Sequence, residues 1–249
     1  LNLIQLLPTF EVFEGNSVEE QSWLIARAYG ICNGWRVNLA IDQNGASFGE
    51  SGKSSDVSSQ LDTLLLGKLR SLADVIVTSG KTARVERYKS SKHAPIAIFT
   101  RSGALDTVPA VQGTQYFTPL ILTPSANLSR MEQALSDVDV RLIPFEDEGT
   151  PWPRSISAAL HHEGFQSPVL ESGLSTIREF LSAEVIDEFC LTVSQAGGTG
   201  LSARSLSEEH LVSLLGDFYV FKLAQLFTDG QTSYSRWVRH GVAASSATA

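Results

Sequence analysis

The stretch SPVLESGLSTIREFLSAEVIDEFCLTVS, residues 167–194, decides the architecture. A short apolar run, SPVLES, ends at Glu171-Ser172-Gly173 and passes into LSTIREFLSAE, whose apolar residues recur at helical spacing. The apolar run EFCLTVS follows as a second strand. A strand that reaches the next strand through a helix forms a crossover unit, and crossover units build parallel sheets. A helix start leaves its first backbone N–H groups unpaired and carries partial positive charge. Gly173 at that position lets an anionic ligand approach the backbone closely.

The same alternation extends toward the N-terminus. NSVEEQSWLIARAYG (16–30) opens with a Ser17-to-Glu20 capping box and reads as an amphipathic helix, and RVNLAI (36–41) reads as a strand. The polar, glycine-rich DQNGASFGESGKSSD that follows is too long for a tight hairpin and marks a functional or mobile loop. VSSQLDTLLLGKLRSLA places Leu61, Leu64, Leu65, Leu69 and Leu72 at helical intervals and leads to the strand DVIVTSG. APIAIFTRSG, PLILTPS and VRLIPF read as three more strands, with the helix SRMEQALSD between the last two and RSISAALHHEG as a further helix. DFYVFKLAQLF, the turn Asp229-Gly230 and YSRWVRHG read instead as an antiparallel hairpin. The expected fold is a three-layer α/β/α domain with a mixed, mostly parallel central sheet and a C-terminal antiparallel hairpin. The domain is expected to span 1–249, with 1–33 as an N-terminal extension carrying one helix and 242–249 as a frayed tail.

Composition narrows the function classes. With 43% hydrophobic residues the protein is able to bury an ordinary core, and a net charge of −8, from 19 basic and 27 acidic residues, disfavours nucleic acid or an anionic membrane as the main partner. Cys32 and Cys190 are isolated thiols, which fits a reducing compartment and no disulfide framework. The opening LNLIQLLPTFEVFEG lacks a basic segment and is broken by Pro8 and Glu11, so no signal peptide is expected, and no apolar run approaches transmembrane length.

Individual motifs are weak. Gly80-Lys81-Thr82 ends like a phosphate-binding P-loop, but Val75 stands where that motif needs its first glycine; what remains is a strand and a glycine-bearing turn with Ser79 and Thr82. Gly198-x-Gly200-x-x-Ala203 follows a strand but precedes a hairpin rather than a complete crossover unit, and reads as a loop. His161-His162 are adjacent and cannot share a helix face, so no metal is assigned. Gly173-Leu174-Ser175 lacks the second glycine of a serine-hydrolase elbow. Trp35, Trp152 and Trp237 read as core or interface residues.

The order of the segments is more specific. NLAIDQNGASFG, VSSQLDTLLLGKLRSLADVIVTSGKTARVERY, PIAIFTRSGAL, LILTPSA and VLESGLSTIREFLSAEVIDEFCLTVS together resemble the C-terminal reductase domain of the riboflavin-biosynthesis deaminase-reductase, within the dihydrofolate-reductase-like superfamily. The likeness spans roughly residues 5–240 and is nearest to the stand-alone pyrimidine reductase group, whose Leu-Leu-Pro segment also occurs here; the zinc-binding deaminase domain is expected to be absent. Arg70, Ala73-Asp74, Gly80, Thr82, Glu86 and Tyr88 match the family pattern. The sequence departs from it at Ser172-Gly173-Leu174, where Gly-Gly-Pro is common, and at Lys81.

The resemblance implies a cytoplasmic, homodimeric, NADPH-dependent reductase that converts a phosphorylated ribosylamino-pyrimidine, 5-amino-6-(5-phosphoribosylamino)uracil, to its ribitylamino form. It places Ala40, Thr82, Glu86, Ser102, Gly173, Leu174 and Ser175 at the cofactor, and Ser54, Arg70 and Glu171 at the substrate. Arg70 would grip a phosphate as a fork, against the plainer reading of an ion pair with Asp74 or Glu86. Arg84 and Arg101 are candidates for the cofactor's 2′-phosphate. No catalytic acid or base is assigned, since hydride transfer is cofactor chemistry. Two alternatives stay open: an NADPH reductase of another pterin- or pyrimidine-like substrate, and a catalytically silent nucleotide-binding dimer.

Overall fold

The computed structural model describes residues 2–112, 116–195 and 207–241. In sequence order its elements are β1 (Leu3–Leu7), β2 (Glu11–Phe13), α1 (Val18–Tyr29), β3 (Trp35–Asp42), α2 (Gln60–Ser71), β4 (Val75–Ser79), α3 (Gly80–Val85) and β5 (Ile96–Phe99). They continue with α4 (Pro109–Gln112), β6 (Leu120–Pro124), α5 (Leu128–Ala134), β7 (Arg141–Phe145), α6 (Trp152–His162) and β8 (Pro168–Leu170). The last are α7 (Leu174–Ser182), β9 (Ile186–Ser194), α8 (Glu208–Leu215), β10 (Phe221–Thr228) and β11 (Thr232–Arg239).

All eleven strands join one sheet in the order β2-β1-β10-β11-β9-β3-β8-β4-β5-β6-β7. The run from β9 to β7 is parallel. The hairpin β10–β11 and the strands β1 and β2 pair antiparallel at the other side. This is the expected mixed, mostly parallel sheet with helices on both faces. Alternate residues of the central strands point to opposite layers. Val37, Leu39 and Ile41 pack against α6, α7 and α8, and their neighbours face the layer of α1 and α2.

Several local expectations hold because near-neighbour chemistry decides them. Ser17 caps α1 with a complete capping box. Leu61, Leu65 and Leu69 form the buried stripe of α2. Asp229 Oδ1 closes the hairpin by accepting from the Gln231 and Thr232 amides. Two readings change. The segment after β4 is not a plain turn but the six-residue helix α3, started by Ser79, whose Oγ accepts from the Thr82 amide at 3.0 Å. The N-terminal segment contributes two strands besides its helix, β2 at the sheet edge and β1 between it and β10. The Gly198–Ala203 motif and the tail 242–249 lie outside the described residues.

Candidate active site

The strand order creates the site. From β3 and β4 the backbone leaves toward α2 and α3 on one face, whereas from β8, which lies between them, it leaves toward α7 on the other. Neighbouring strands whose continuations part in this way open a crevice at their carboxyl ends, where α/β sheets bind ligands. The accessibility of β3 agrees: within this otherwise buried central strand, Asn38, Ala40 and Asp42 stay half-buried, and all three face the α2 layer. The small side chain of Ala40 therefore floors an open groove.

One wall of the groove is ionic. Continuing the β3–β8 register puts Glu171 beside Asn38, and the Glu171 amide donates to the Val77 carbonyl at 2.9 Å, which fixes the carboxylate there. Arg70 reaches it from α2 with both arms of a fork, Nε to Oε1 at 2.9 Å and Nη2 to Oε2 at 2.6 Å. The Tyr88 hydroxyl donates to Oε2 at 2.7 Å. Burial opposes the charge of Arg70, yet the adjacent Glu171 carboxylate and its hydrogen bonds raise the guanidinium pKa overall. Burial, reinforced by Glu171, also lifts the Tyr88 phenol well above its ordinary range, so Tyr88 stays a donor. The ion-pair partner of Arg70 is thus Glu171 rather than Asp74 or Glu86. Asp74 instead accepts from the Ser167 amide at 2.9 Å, and Glu86 from the Ser54 amide at 2.8 Å. That last bond ties the loop after β3 to the end of α3, joining two of the sequence candidates.

The head of the crevice is the turn before α7. Gly173 occupies the N-cap position with no side chain to cap the helix, so the first amides of this nine-residue helix are left for solvent or a ligand. Its φ of −71° is open to any residue, and a Cβ built on it would meet nothing within 4 Å. Neither backbone strain nor internal packing requires a glycine here. Gly80 differs, since a Cβ there would press on Thr100 at 3.3 Å. Ser172 Oγ lies 3.2 Å from Thr82 Oγ1, which accepts from Ser79 Oγ at 2.9 Å, so hydroxyls line the passage between α3 and α7. Leu174 and Ser175 form the first turn of α7.

Beyond this passage, at the ends of β4 and β5, lies a cavity of about 320 Å³ lined by Lys81, Arg84, Phe99, Arg101, Ser102 and Trp152 among others. It gathers the cationic candidates with Ser102. Arg84 is held by the Ala104 carbonyl at 2.7 Å, and the Arg101 guanidinium lies 5.9 Å from the Trp152 ring centroid. Trp152 is therefore a cavity wall as well as a packing residue. The sequence places Lys81 as an added cation beside the expected cofactor turn, two residues after β4, but gives no role here to Trp152, whose approach to the β4 end depends on strand order. Among the described residues no group of three or more His, Cys, Asp or Glu side chains is placed to hold a metal ion, and no helix is long and apolar enough to cross a membrane.

The fold defines an α/β domain with a candidate site along the carboxyl ends of its central strands. Residues 37–200 match the RibD C-terminal domain, and the protein belongs to that family. Its fold is similar to a pyrimidine reductase-like protein from Corynebacterium diphtheriae, with TM-score 0.61 and 21% identity over 90% of this chain and 99% of that one. RibD from Acinetobacter baumannii gives TM-score 0.61 and 17% identity over 88% of this chain and 61% of its own. A deaminase/reductase from Thermotoga maritima gives 0.56 and 14% over 88% and 60%. The alignment thus spans about 60% of each of the latter two proteins. No protein of curated function matches the sequence.

Proposed function

We propose that this protein is an NADPH-dependent reductase acting on 5-amino-6-(5-phosphoribosylamino)uracil, the ribosylamino-pyrimidine phosphate of riboflavin biosynthesis. The observation that carries the reading is the Gly173 turn: uncapped amides at a helix start, with a glycine that no internal contact demands, next to a groove floored by Ala40. These features suit a dinucleotide. The amides of Gly173, Leu174 and Ser175 would take the diphosphate, with the Thr82 and Ser172 hydroxyls beside it. The cavity holding Ser102, Lys81 and Arg101 would take the adenosine end, and its cations favour a 2′-phosphate.

The bound nicotinamide would supply a hydride. The protein's own work is to orient the substrate and exclude water. Glu171, held rigid by Arg70 and Tyr88, offers a fixed acceptor for pyrimidine N–H groups. Arg70, with its fork committed to Glu171, keeps Nη1 and its positive charge for the substrate phosphate. The Ser54 loop, tied to Glu86, would close over the bound substrate.

The test is titration of NADPH and NADH by nicotinamide fluorescence, followed by turnover of the ribosylamino substrate. Tighter binding of NADPH and production of the ribitylamino compound are expected. Failure to bind either cofactor at millimolar concentration would overturn the reading, and binding without turnover would remove the substrate assignment.

A further inference from the structure

A polar cluster on the far side of the groove from Glu171 belongs to none of the roles above. Thr192 of β9 pairs in register with Ala40. Its hydroxyl donates to Asp62 Oδ1 at 2.6 Å, and the Ser58 hydroxyl donates to Asp62 Oδ2. Asp62 stands in the first turn of α2, where its amide donates to the Ser59 N-cap at 3.1 Å, and its side chain is directed into the protein. It is only 5% exposed, yet no cation forms a salt bridge with it among the described residues. A buried carboxyl without a cation beside a ligand groove is costly to keep ionised.

We propose that Asp62 is a positioning residue that stores the proton consumed in the reduction and passes it through Ser58 to the substrate. The proposal rests on the reductase reading. When hydride adds to the carbon of the C=N bond in the ring-opened substrate, the π electrons move to nitrogen, which must take up a proton. With Asp62 protonated, its O–H donates to Ser58 Oγ, and the Ser58 hydrogen turns outward to that nitrogen. Transfer leaves an N–H bond on the product and a carboxylate at Asp62, which solvent reprotonates. Ser194, two residues beyond Thr192 on the same face, has a buried Oγ with no hydrogen-bond partner in the protein and marks where a water can sit.

Burial raises the Asp62 pKa, while the Ser58 and Thr192 hydrogen bonds pull it partly back. The titratable groups facing it are few. Tyr234 of β11, linked through Ser59 at 3.0 Å, is itself kept protonated by burial. Asp229 lies behind that phenol at 3.4 Å, and Asp42 at the end of β3 is occupied by the Asn44 and Ala46 amides at 2.8 Å. A carboxyl raised in this way acts as an acid below its folded-state pKa, so kcat should fall as pH rises through that value.

The experiment compares pH profiles of kcat for the wild type, Asp62→Asn and Ser58→Ala. Asp62→Asn keeps the residue's size and should lower kcat about 100-fold, abolish the alkaline fall and leave NADPH affinity within twofold. Ser58→Ala cuts the relay and should likewise lower kcat at least tenfold and flatten the fall. An unchanged profile in Asp62→Asn would overturn the proposal while leaving the reductase reading intact. Infrared difference spectra of the cofactor-free protein give a readout independent of turnover: a protonated-carboxyl band that persists above the ordinary aspartate range and is missing in Asp62→Asn is expected. No such band would also overturn it. A wild type that binds no nicotinamide cofactor would sink the reductase reading, and the proposal with it.

Discussion

Two arginine–glutamate clusters share the α2-side face of the sheet, two residues apart along β3, and they differ in what surrounds them. In the first, Arg36 and Arg236 converge on Glu188, with side-chain exposures of 4%, 3% and 4%. All three side-chain nitrogens of Arg236 are matched inside the protein, Nη1 by Gln225 Oε1 at 3.3 Å, and Arg36 Nη2 also donates to the Gly30 carbonyl at 2.8 Å. That knot joins β3, β9, β11 and the end of α1. In the second, Arg70 and Glu171 have exposures of 23% and 6%, and one flank opens on the groove above Ala40. The same chemistry is sealed where the fold closes over it and left accessible to a ligand where the sheet leaves it open.

The sharpest way to break this distinction is Glu188→Ala, which strands two buried guanidinium groups. It should cost about 3–5 kcal/mol in denaturant unfolding, and a loss below about 1 kcal/mol would erase the contrast. Next is Arg70→Ala. Because the Arg70 side chain is 23% exposed, its removal lets water reach the buried Glu171 carboxylate, so stability should fall by only about 1–3 kcal/mol, while KM for the phosphorylated substrate rises at least tenfold and kcat changes less. Unchanged kinetics would assign this second cluster to structure alone.

Gly173→Val tests the open end of the site. No protein atom obstructs the new valine, so unfolding free energy should stay within about 1 kcal/mol of the wild type. NADPH affinity should drop about tenfold, and equal affinity would place the diphosphate elsewhere. The smallest effect concerns Tyr88, whose folded-state pKa is raised. Below the ordinary phenol value the phenol is neutral in both the folded and the unfolded state. Above about pH 10 the unfolded state ionises first, so stability falls as pH climbs toward the folded pKa. Tyr88→Phe should make that alkaline decline shallower by one proton, as measured by unfolding at several pH values.

A larger hollow of about 720 Å³ lies at the opposite ends of these strands, near Trp35 and Arg154. Several of its polar groups are already occupied: Arg154 by the Ala183 carbonyl and Glu184, and the Trp35 amide by Asp187 at 2.9 Å. Volume alone does not mark a site. Uncommitted donors at a switch point do.

The amino-acid pattern by itself determined the elements of the crossover sheet, the Ser17 capping box, the leucine stripe of α2 and the hairpin turn at Asp229-Gly230. Each of these is settled by residues within a turn or two, through local burial and backbone capping. It also brought Gly173 and Thr82 forward as candidates. It did not reveal that β1 and β2 join the sheet, because short, half-exposed strands near the sheet edge carry little periodic burial. Nor did it show that Gly80 starts a helix. Only the tertiary structure decided that β8 slots between β3 and β4. That placement brings Glu171 to Arg70 across 101 residues and opens the groove beside Ala40, and the pairing of β9 with β3 sets Thr192 and Asp62, 130 residues apart, on its far side. Such partnerships depend on strand order, which is set by how the whole set of apolar faces is buried at once and leaves no signature in any short stretch of sequence.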